Sequence, residues 1–248
     1  MRALIPDVVT PLHVALLRGV TALVDRYDST LGIRLDGGTA LSAFYLGHRE
    51  SEDLDFMVTP SANCRAIGES LSPFLASDGI TLTTLRASPG LYEGLATRDQ
   101  AGVRVQLLAQ SPFLLEPPEP TDTGARVTAW RDVVAGKLHA IADRTEPRDF
   151  VDLHCILDHL GAPRRAPAAA SAVLSLIDDL RAHDPGLSMA AIGRALAAGG
   201  DRALYDGFPL RMLKPVSFAD VAATASCCAA VVAEELAKAL RRPGAHGE

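Results

Sequence analysis

Apolar and polar residues alternate along five short segments in the first half of the chain. Because the side chains of a β-strand point alternately to opposite faces, this period of two predicts strands. The predicted strands are residues 31–35, 53–58, 79–85, 91–97 and 101–108. Turn-forming residues at 88–90 and 99–102 separate the last three strands, and this spacing predicts an antiparallel meander.

Apolar residues recur at helical spacing in other segments. The predicted helices are residues 11–27, 62–76, 130–143, 147–160, 166–183, 187–198 and 217–241, with a break or kink expected at Pro73. The proline-rich run at 116–124 cannot form a helix and is the best candidate for a domain boundary. The pattern therefore predicts an α+β fold, with a mixed sheet and flanking helices over residues 1–120 and a helical domain over 121–248.

The first predicted strand is followed by a glycine turn and then by a helix running to Leu46. Gly37 and Gly38 can adopt backbone angles that other residues avoid, and Thr39 is placed to cap the helix. A helix that starts at such a turn presents backbone N–H groups in a concave spot that suits phosphate oxygens. The alternative is that Gly-Gly serves here only as turn chemistry.

The second predicted strand carries two carboxylates on one face. Asp53 and Asp55 alternate with the apolar Leu54 and Phe56, so the two acids share a face. Two carboxylates this close repel each other unless a cation lies between them, and Mg²⁺ prefers such oxygen ligands. The alternative is a solvated strand face, although Asp is a poor strand former.

The helices over 130–143 and 147–160 carry a second candidate group. Lys137 is one of only three lysines beside 21 arginines, and its compact charge suits a phosphate. Asp149 and Asp152 share a helix face, but the helix dipole already explains Asp149, so Asp152 is the better functional candidate. We expect Lys137→Ala to reduce turnover more than folding. The alternative is that Lys137 is a solvated helix residue.

Two blocks of sequence together resemble a known family. The first consists of residues 37–41, 45–49 and 51–56, and the second of residues 137–144 and 146–153. They are similar to the AbiEii/AbiGii-type nucleotidyltransferase toxins of the polymerase-beta-like nucleotidyltransferase superfamily. The resemblance covers roughly residues 31–160 and implies a nucleotidyltransferase-like fold, in which the helical domain completes the active-site cleft.

The resemblance also implies transfer of a nucleotide from a nucleoside triphosphate to an acceptor hydroxyl, with release of pyrophosphate. The residues that it places on the triphosphate are Gly37, Gly38, Thr39 and Arg49. Asp53 and Asp55 would hold Mg²⁺ or Mn²⁺. Lys137 would neutralise phosphate charge, and Asp152 would orient or deprotonate the acceptor hydroxyl. The family association further implies a toxin–antitoxin system, with a separate antitoxin and tRNA 3′ ends as acceptor.

One position departs from the superfamily pattern. A third carboxylate is expected on a later strand, but the strand over 102–108 presents Arg104 and Gln106 on its polar face. Either two carboxylates suffice, or Asp152 compensates, or the protein binds nucleotide without efficient catalysis.

Composition and charge limit the remaining classes of function. The net charge of −6 argues against a large nucleic-acid interface and favours one alternative, an enzyme that acts on a cationic antibiotic or other small metabolite. Gln106 motivates a second alternative, a non-catalytic module that binds nucleotide or a partner protein. No apolar run approaches 20 residues, and no signal peptide is evident. The four cysteines lack metal-binding spacing. We therefore expect a cytoplasmic protein that does not span a membrane.

Overall fold

The structure is a computed structural model that describes residues 1–27, 32–59, 63–110, 113–162 and 168–241. The chain divides into two compact units. The first comprises Met1–Val133 with Arg211–Lys214, and the second comprises Val134–Leu210 with the chain from Pro215 onward. The predicted domain division after residue 120 stays a prediction.

The predicted strands and helices are present with small shifts of their ends. The strands are β1 Arg34–Asp36, β2 Asp53–Val58, β3 Thr81–Ser88, β4 Leu91–Arg98, β5 Ala101–Ala109, β6 Glu119–Pro120 and β7 Arg126–Val127. The α-helices are α1 Pro11–Tyr27, α2 Gly37–Leu41, α3 Cys64–Ala76, α4 Trp130–Arg144, α5 Pro147–His159, α6 Ala168–His183, α7 Met189–Ala198 and α8 Phe218–Arg241. Helix α3 continues through Pro73 without ending there. Residues 31, 62, 166 and 167 of the predicted elements lie outside the described residues.

A mixed seven-stranded sheet forms the centre of the first unit, with the order β3-β4-β5-β2-β1-β7-β6. Strands β3, β4 and β5 form the predicted antiparallel meander. Strand β2 pairs with β5 in parallel and with β1 in antiparallel orientation. The expected α+β class, with a mixed sheet, flanking helices and a helical C-terminal part, is confirmed.

The two faces of this sheet differ in character. Phe56 on β2 and Tyr92 on β4 lie in one lateral row and are buried. Helix α3 covers this apolar face, since a side chain added at Gly68 would run into the Tyr92 ring. The alternate residues Asp53 and Asp55 point to the opposite face and are only half-buried. The period of two in the sequence therefore correctly separated core from polar face.

The helix after β1 starts three residues earlier than predicted, because its N-cap is Asp36 and the predicted cap was Thr39. The Asp36 carboxylate caps α2 by accepting from the Gly37 N–H at 2.7 Å. The expectation that Thr39 is the cap is therefore wrong, because Thr39 already lies inside the helix. Helix α2 continues as a π-helix, Ser42–Leu46, so the predicted end at Leu46 is confirmed.

The second unit is helical. The ring of Phe150 on α5 lies against Gly199, whose carbonyl accepts from the Tyr205 hydroxyl at 2.7 Å. His154 on α5 lies 2.8 Å from the Thr224 hydroxyl on α8. All four cysteines carry free thiols. In the residues that the structure describes, no helix is long and apolar enough to cross a membrane.

Candidate active site

The glycine turn and the paired carboxylates meet at Gly37. This residue has a φ of +69°, and a Cβ built on it would lie 2.6 Å from the Asp55 Oδ2 atom. The contact arises because Asp36 is the antiparallel register partner of Asp55. Only glycine fits, for both its backbone angle and the close approach. The two halves of the first sequence block thus adjoin in space.

Thr39 ties the turn to the strand that carries the carboxylates. Its hydroxyl donates to the Asp53 carbonyl oxygen and lies 2.6 Å from the Ser51 hydroxyl. The Ser51 hydroxyl oxygen and the Asp53 carbonyl oxygen are both acceptors for the single Thr39 hydroxyl hydrogen. The Thr39 side chain is only 1% exposed. Its hydroxyl is therefore used inside the protein, which leaves the backbone as the part of Thr39 that suits a phosphate.

The chemistry of Asp53 and Asp55 fits a hard divalent cation. Both are half-buried carboxylates on one face of β2, and Mg²⁺ typically takes one or two carboxylates and completes its coordination with water and phosphate oxygens. Among the described residues, no group of three or more His, Cys, Asp or Glu side chains is arranged to hold a metal. Asp53 and Asp55 are the two carboxylates that β2 could offer to such an ion.

Asp55 belongs to a lateral row of polar residues that crosses four strands of the sheet. In register order it consists of Asp36, Asp55, Gln106 and Glu93. Gln106 is thus the direct neighbour of Asp55, at the position where the superfamily pattern expects an acid. Glu93 lies two strands from Asp55, about 10 Å between Cα atoms at the usual strand spacing.

The Glu93 carboxylate is already neutralised, so it does not replace the missing acid. It accepts from Arg86 Nε at 2.7 Å and from Arg104 at 2.8 Å. The hydrogen bond from Arg86, with the charges of both arginines, holds the pKa of Glu93 below its ordinary value. Sequence reasoning missed this residue, although the hairpin at Asp99–Gln100 sets the register that pairs Glu93 with Gln106.

Arg49 lies in a buried segment that a distant part of the chain covers. It forms an antiparallel bridge with Met212, and its guanidinium donates to the Glu50 carbonyl at 3.1 Å. The neighbouring His48 carbonyl accepts from the Leu213 N–H at 2.9 Å. The predicted phosphate contact of Arg49 stays a prediction.

Lys137 and Asp152 lie together in the second unit as the buried part of an ion cluster. Lys137 Nζ is 2.7 Å from Asp152 Oδ2 and 3.3 Å from Asp149 Oδ1. Arg144 completes the cluster with two bonds to Asp149, at 2.8 and 3.0 Å. Lys137 is therefore a buried lysine, and the alternative of a solvated helix residue is wrong. The helix dipole is therefore not the whole explanation of Asp149, because its carboxylate also compensates the charges of Lys137 and Arg144.

Comparisons with known proteins identify the family and the fold of the chain. The model of the family described as "Nucleotidyl transferase AbiEii toxin, Type IV TA system" matches residues 22–213. The match includes both sequence blocks and reaches the segment at Met212 that bridges to Arg49. No curated protein matches the chain.

Two solved structures from H. pylori share the fold. One, of a protein described as a candidate nucleotidyltransferase, is 18% identical with a TM-score of 0.55, over 92% of this chain and 94% of that chain. The other, JHP933 from Helicobacter pylori, is 17% identical with a TM-score of 0.53, over 92% of each chain. Because the family model covers most of its length, the chain belongs to the AbiEii family of nucleotidyltransferase toxins of type IV toxin–antitoxin systems.

Proposed function

We propose that this nucleotidyltransferase is magnesium-dependent and transfers a nucleoside monophosphate from a nucleoside triphosphate to an acceptor hydroxyl, releasing pyrophosphate. Family membership implies the triphosphate substrate and an antitoxin partner. The observation that carries the proposal is the approach of the Gly37 backbone to the Asp55 carboxylate. It supports a phosphate-binding turn and a metal-binding pair that act on the same substrate.

The residues of the first unit take the following roles. The turn of Gly37, Gly38 and Thr39 holds the triphosphate through backbone N–H groups, and Arg49 contacts a phosphate. Asp53 and Asp55 are the ligands for Mg²⁺ or Mn²⁺. When bound, the metal supplies positive charge that stabilises the phosphoryl oxygens during transfer. Gly37 keeps the turn close to Asp55, and Thr39 fixes the start of β2 through the Asp53 carbonyl.

The roles of Lys137 and Asp152 are a separate part of the proposal. Lys137 neutralises phosphate charge, and Asp152 orients or deprotonates the acceptor hydroxyl. Their 2.7 Å contact supports a coupled pair, since each would set the orientation of the other. Burial of the same pair also suits a purely structural role, so the two roles need variants that separate stability from turnover.

We further propose that the protein acts in the cytoplasm and that the acceptor is the 3′ end of tRNA. The family's place in toxin–antitoxin systems supports a target inside the cell, and the tRNA acceptor is what the sequence resemblance implies. The acidic net charge of −6 agrees with a small contact area on such a target.

A labelling assay tests this function. The wild-type protein is incubated with each α-labelled nucleoside triphosphate and total tRNA, in Mg²⁺, in Mn²⁺ or in excess EDTA. We expect label on RNA with at least one nucleotide, release of pyrophosphate, and no transfer in EDTA. Transfer to a small-molecule acceptor but not to RNA would support the alternative substrate class. Folded protein that transfers no label to any acceptor would contradict the proposal.

A further inference from the structure

Two arginines lie on the sheet face that carries Asp53 and Asp55. Arg104 on β5 is the parallel register partner of Asp53, about 5 Å away between Cα atoms at normal strand spacing. Arg86 on β3 pairs with Glu93, which continues the row of Asp55. This face points away from α3, because Glu93 alternates with the buried Tyr92.

Glu93 joins the two guanidinium groups into one unit, which we call the arginine fork and define as Arg86, Glu93 and Arg104. The Glu93 side chain is only 6% exposed, whereas those of Arg86 and Arg104 are 69% and 52% exposed. Each arginine donates from one nitrogen to Glu93. The buried Glu93 carboxylate thus fixes the orientation of both exposed guanidinium groups.

The charges of the fork do not cancel. One carboxylate faces two guanidinium groups, which leaves one net positive charge on an exposed face beside the carboxylates of β2. Neutralising a buried Glu93 requires only one arginine. Each guanidinium has five N–H donors in a planar arrangement that matches phosphate oxygens, and among the described residues only Glu93 accepts from these two side chains. The second arginine and the remaining donors therefore suit an anionic ligand.

We propose that the arginine fork binds phosphate oxygens of the substrate during nucleotidyl transfer. This inference rests on the proposed function, because the phosphate belongs either to the nucleoside triphosphate or to a nucleic-acid acceptor. Arg104 and Arg86 supply the hydrogen bonds, and Glu93 positions them. The position next to Asp53 places this binding surface beside the proposed metal ligands, on a residue set that the AbiEii-like sequence blocks do not contain.

The test measures equilibrium binding, which does not require catalysis. The protein is titrated with non-hydrolysable analogues of the four nucleoside triphosphates in Mg²⁺, and separately with total tRNA at several salt concentrations. The variants are Arg86→Ala, Arg104→Ala, the double variant and Glu93→Gln. Arg65→Ala is the matched control, because Arg65 is 61% exposed and forms an ion pair with Glu69, at 2.8 Å, on helix α3.

We expect the double variant to weaken binding of one probe by roughly tenfold or more, the usual size of losing charge-assisted hydrogen bonds, while Arg65→Ala has little effect. A loss confined to the nucleotide analogues assigns the fork to the triphosphate. A loss confined to tRNA, with a salt dependence of log K that is less steep by about one unit, assigns it to an acceptor phosphate.

Unchanged binding of both probes by a folded double variant would overturn the inference, as would wild-type protein that binds neither probe. If the double variant does not fold, Arg86→Gln replaces it under the same criteria, since the Arg86 side chain is the more exposed of the two. A different result would contradict the proposed function, namely a wild-type protein that binds nucleotide but transfers none.

Discussion

Gly37 is the residue at which the phosphate-binding turn meets the carboxylates of β2. A Gly37→Ala variant places a methyl group 2.6 Å from Asp55 Oδ2 and also strains a backbone with φ of +69°. We expect it to reduce nucleotidyl transfer by roughly tenfold or more, since small displacements at an active site have effects of this size. Initial rates and a thermal melt measure the two consequences separately.

Gly79→Ala is the matched control for this prediction. Gly79 has nearly the same backbone angle, φ +68°, but no atom lies within 4 Å of its added Cβ. Both variants carry the strain of a left-handed residue, about 1 kcal/mol, and only Gly37→Ala disturbs Asp55. Equal activity in the two variants would show that the Gly37–Asp55 contact has no part in the reaction.

The expected effect of replacing Lys137, also a matter of a single residue, changes with the structure. Sequence reasoning expected Lys137→Ala to affect turnover more than folding, but the structure places Lys137 between two fully buried carboxylates. Removing one partner of a buried ion pair typically costs about 3–5 kcal/mol. We therefore expect a loss of this order in the free energy of unfolding, measured by urea denaturation, together with the loss of transfer.

A paired replacement separates the two roles of this lysine. Lys137→Met combined with Asp152→Leu substitutes apolar side chains of similar size, which at buried ion pairs is often neutral or stabilising. We expect stability to recover while transfer stays absent. Recovery of transfer together with stability would mean that Lys137 and Asp152 are structural residues only.

At the scale of elements, His13 joins helix α1 to Glu52, the residue directly before β2. His13 Nε2 lies 3.3 Å from the Glu52 carbonyl, which can only accept, so this nitrogen carries the hydrogen. His13 Nδ1 then accepts from the Thr10 N–H at 3.3 Å. Burial lowers the pKa of His13, although the Glu52 bond and the Asp53 charge act in the opposite direction.

This histidine predicts a loss of stability in mild acid. The folded-state pKa lies below the unfolded one, so the unfolded chain binds a proton first and stability falls as the pH drops below about 6.5. The fall continues towards the lower folded pKa, at up to about 1.4 kcal/mol per pH unit. Urea denaturation at about pH 7.5 and about pH 5.5 should show a smaller difference for His13→Gln than for wild type. An identical difference in both proteins would contradict this assignment.

The elements themselves were largely predictable, because their patterns are local. The alternation of Leu54 and Phe56 with Asp53 and Asp55 gave the correct face of β2. The start of α2 was not predictable from capping preference alone, since both Asp36 and Thr39 are good caps. Pairing of β1 with β2 decides between them, because Thr39 is held by the Asp53 carbonyl and Asp36 is left to cap.

At the scale of the whole molecule, the first unit is built from two distant parts of the chain. Residues 211–214 return to residues 48–50, where Glu50 N–H donates to the Arg211 carbonyl at 2.9 Å. A contact across such a sequence separation leaves no periodic signal, so the return of this segment was not predictable from the sequence, in which the family resemblance extends only to about residue 160. The family match ends at residue 213, inside this returning segment of residues 211–214.

The arginine fork illustrates the same difference between local and non-local information. The sequence places Arg104 and Gln106 on the polar face of β5, where the superfamily pattern expects an acid, and by itself indicates no other role for Arg104. Only the register of β3, β4 and β5 brings Arg86 and Glu93 to the same place. The candidate site was therefore predictable where one strand carries it, and hidden where several strands share it.

The measurement that tests the central claim most directly is the rate of nucleotidyl transfer at saturating Mg²⁺ by Asp55→Asn. Asp78→Asn, an exposed acid after α3, is the control, and thermal melts verify folding. We predict that Asp55→Asn loses roughly a hundredfold or more in rate, the scale of losing one electrostatic contact to a transition state, while Asp78→Asn transfers like wild type. Folded Asp55→Asn protein that transfers at the wild-type rate would contradict the assignment of this site.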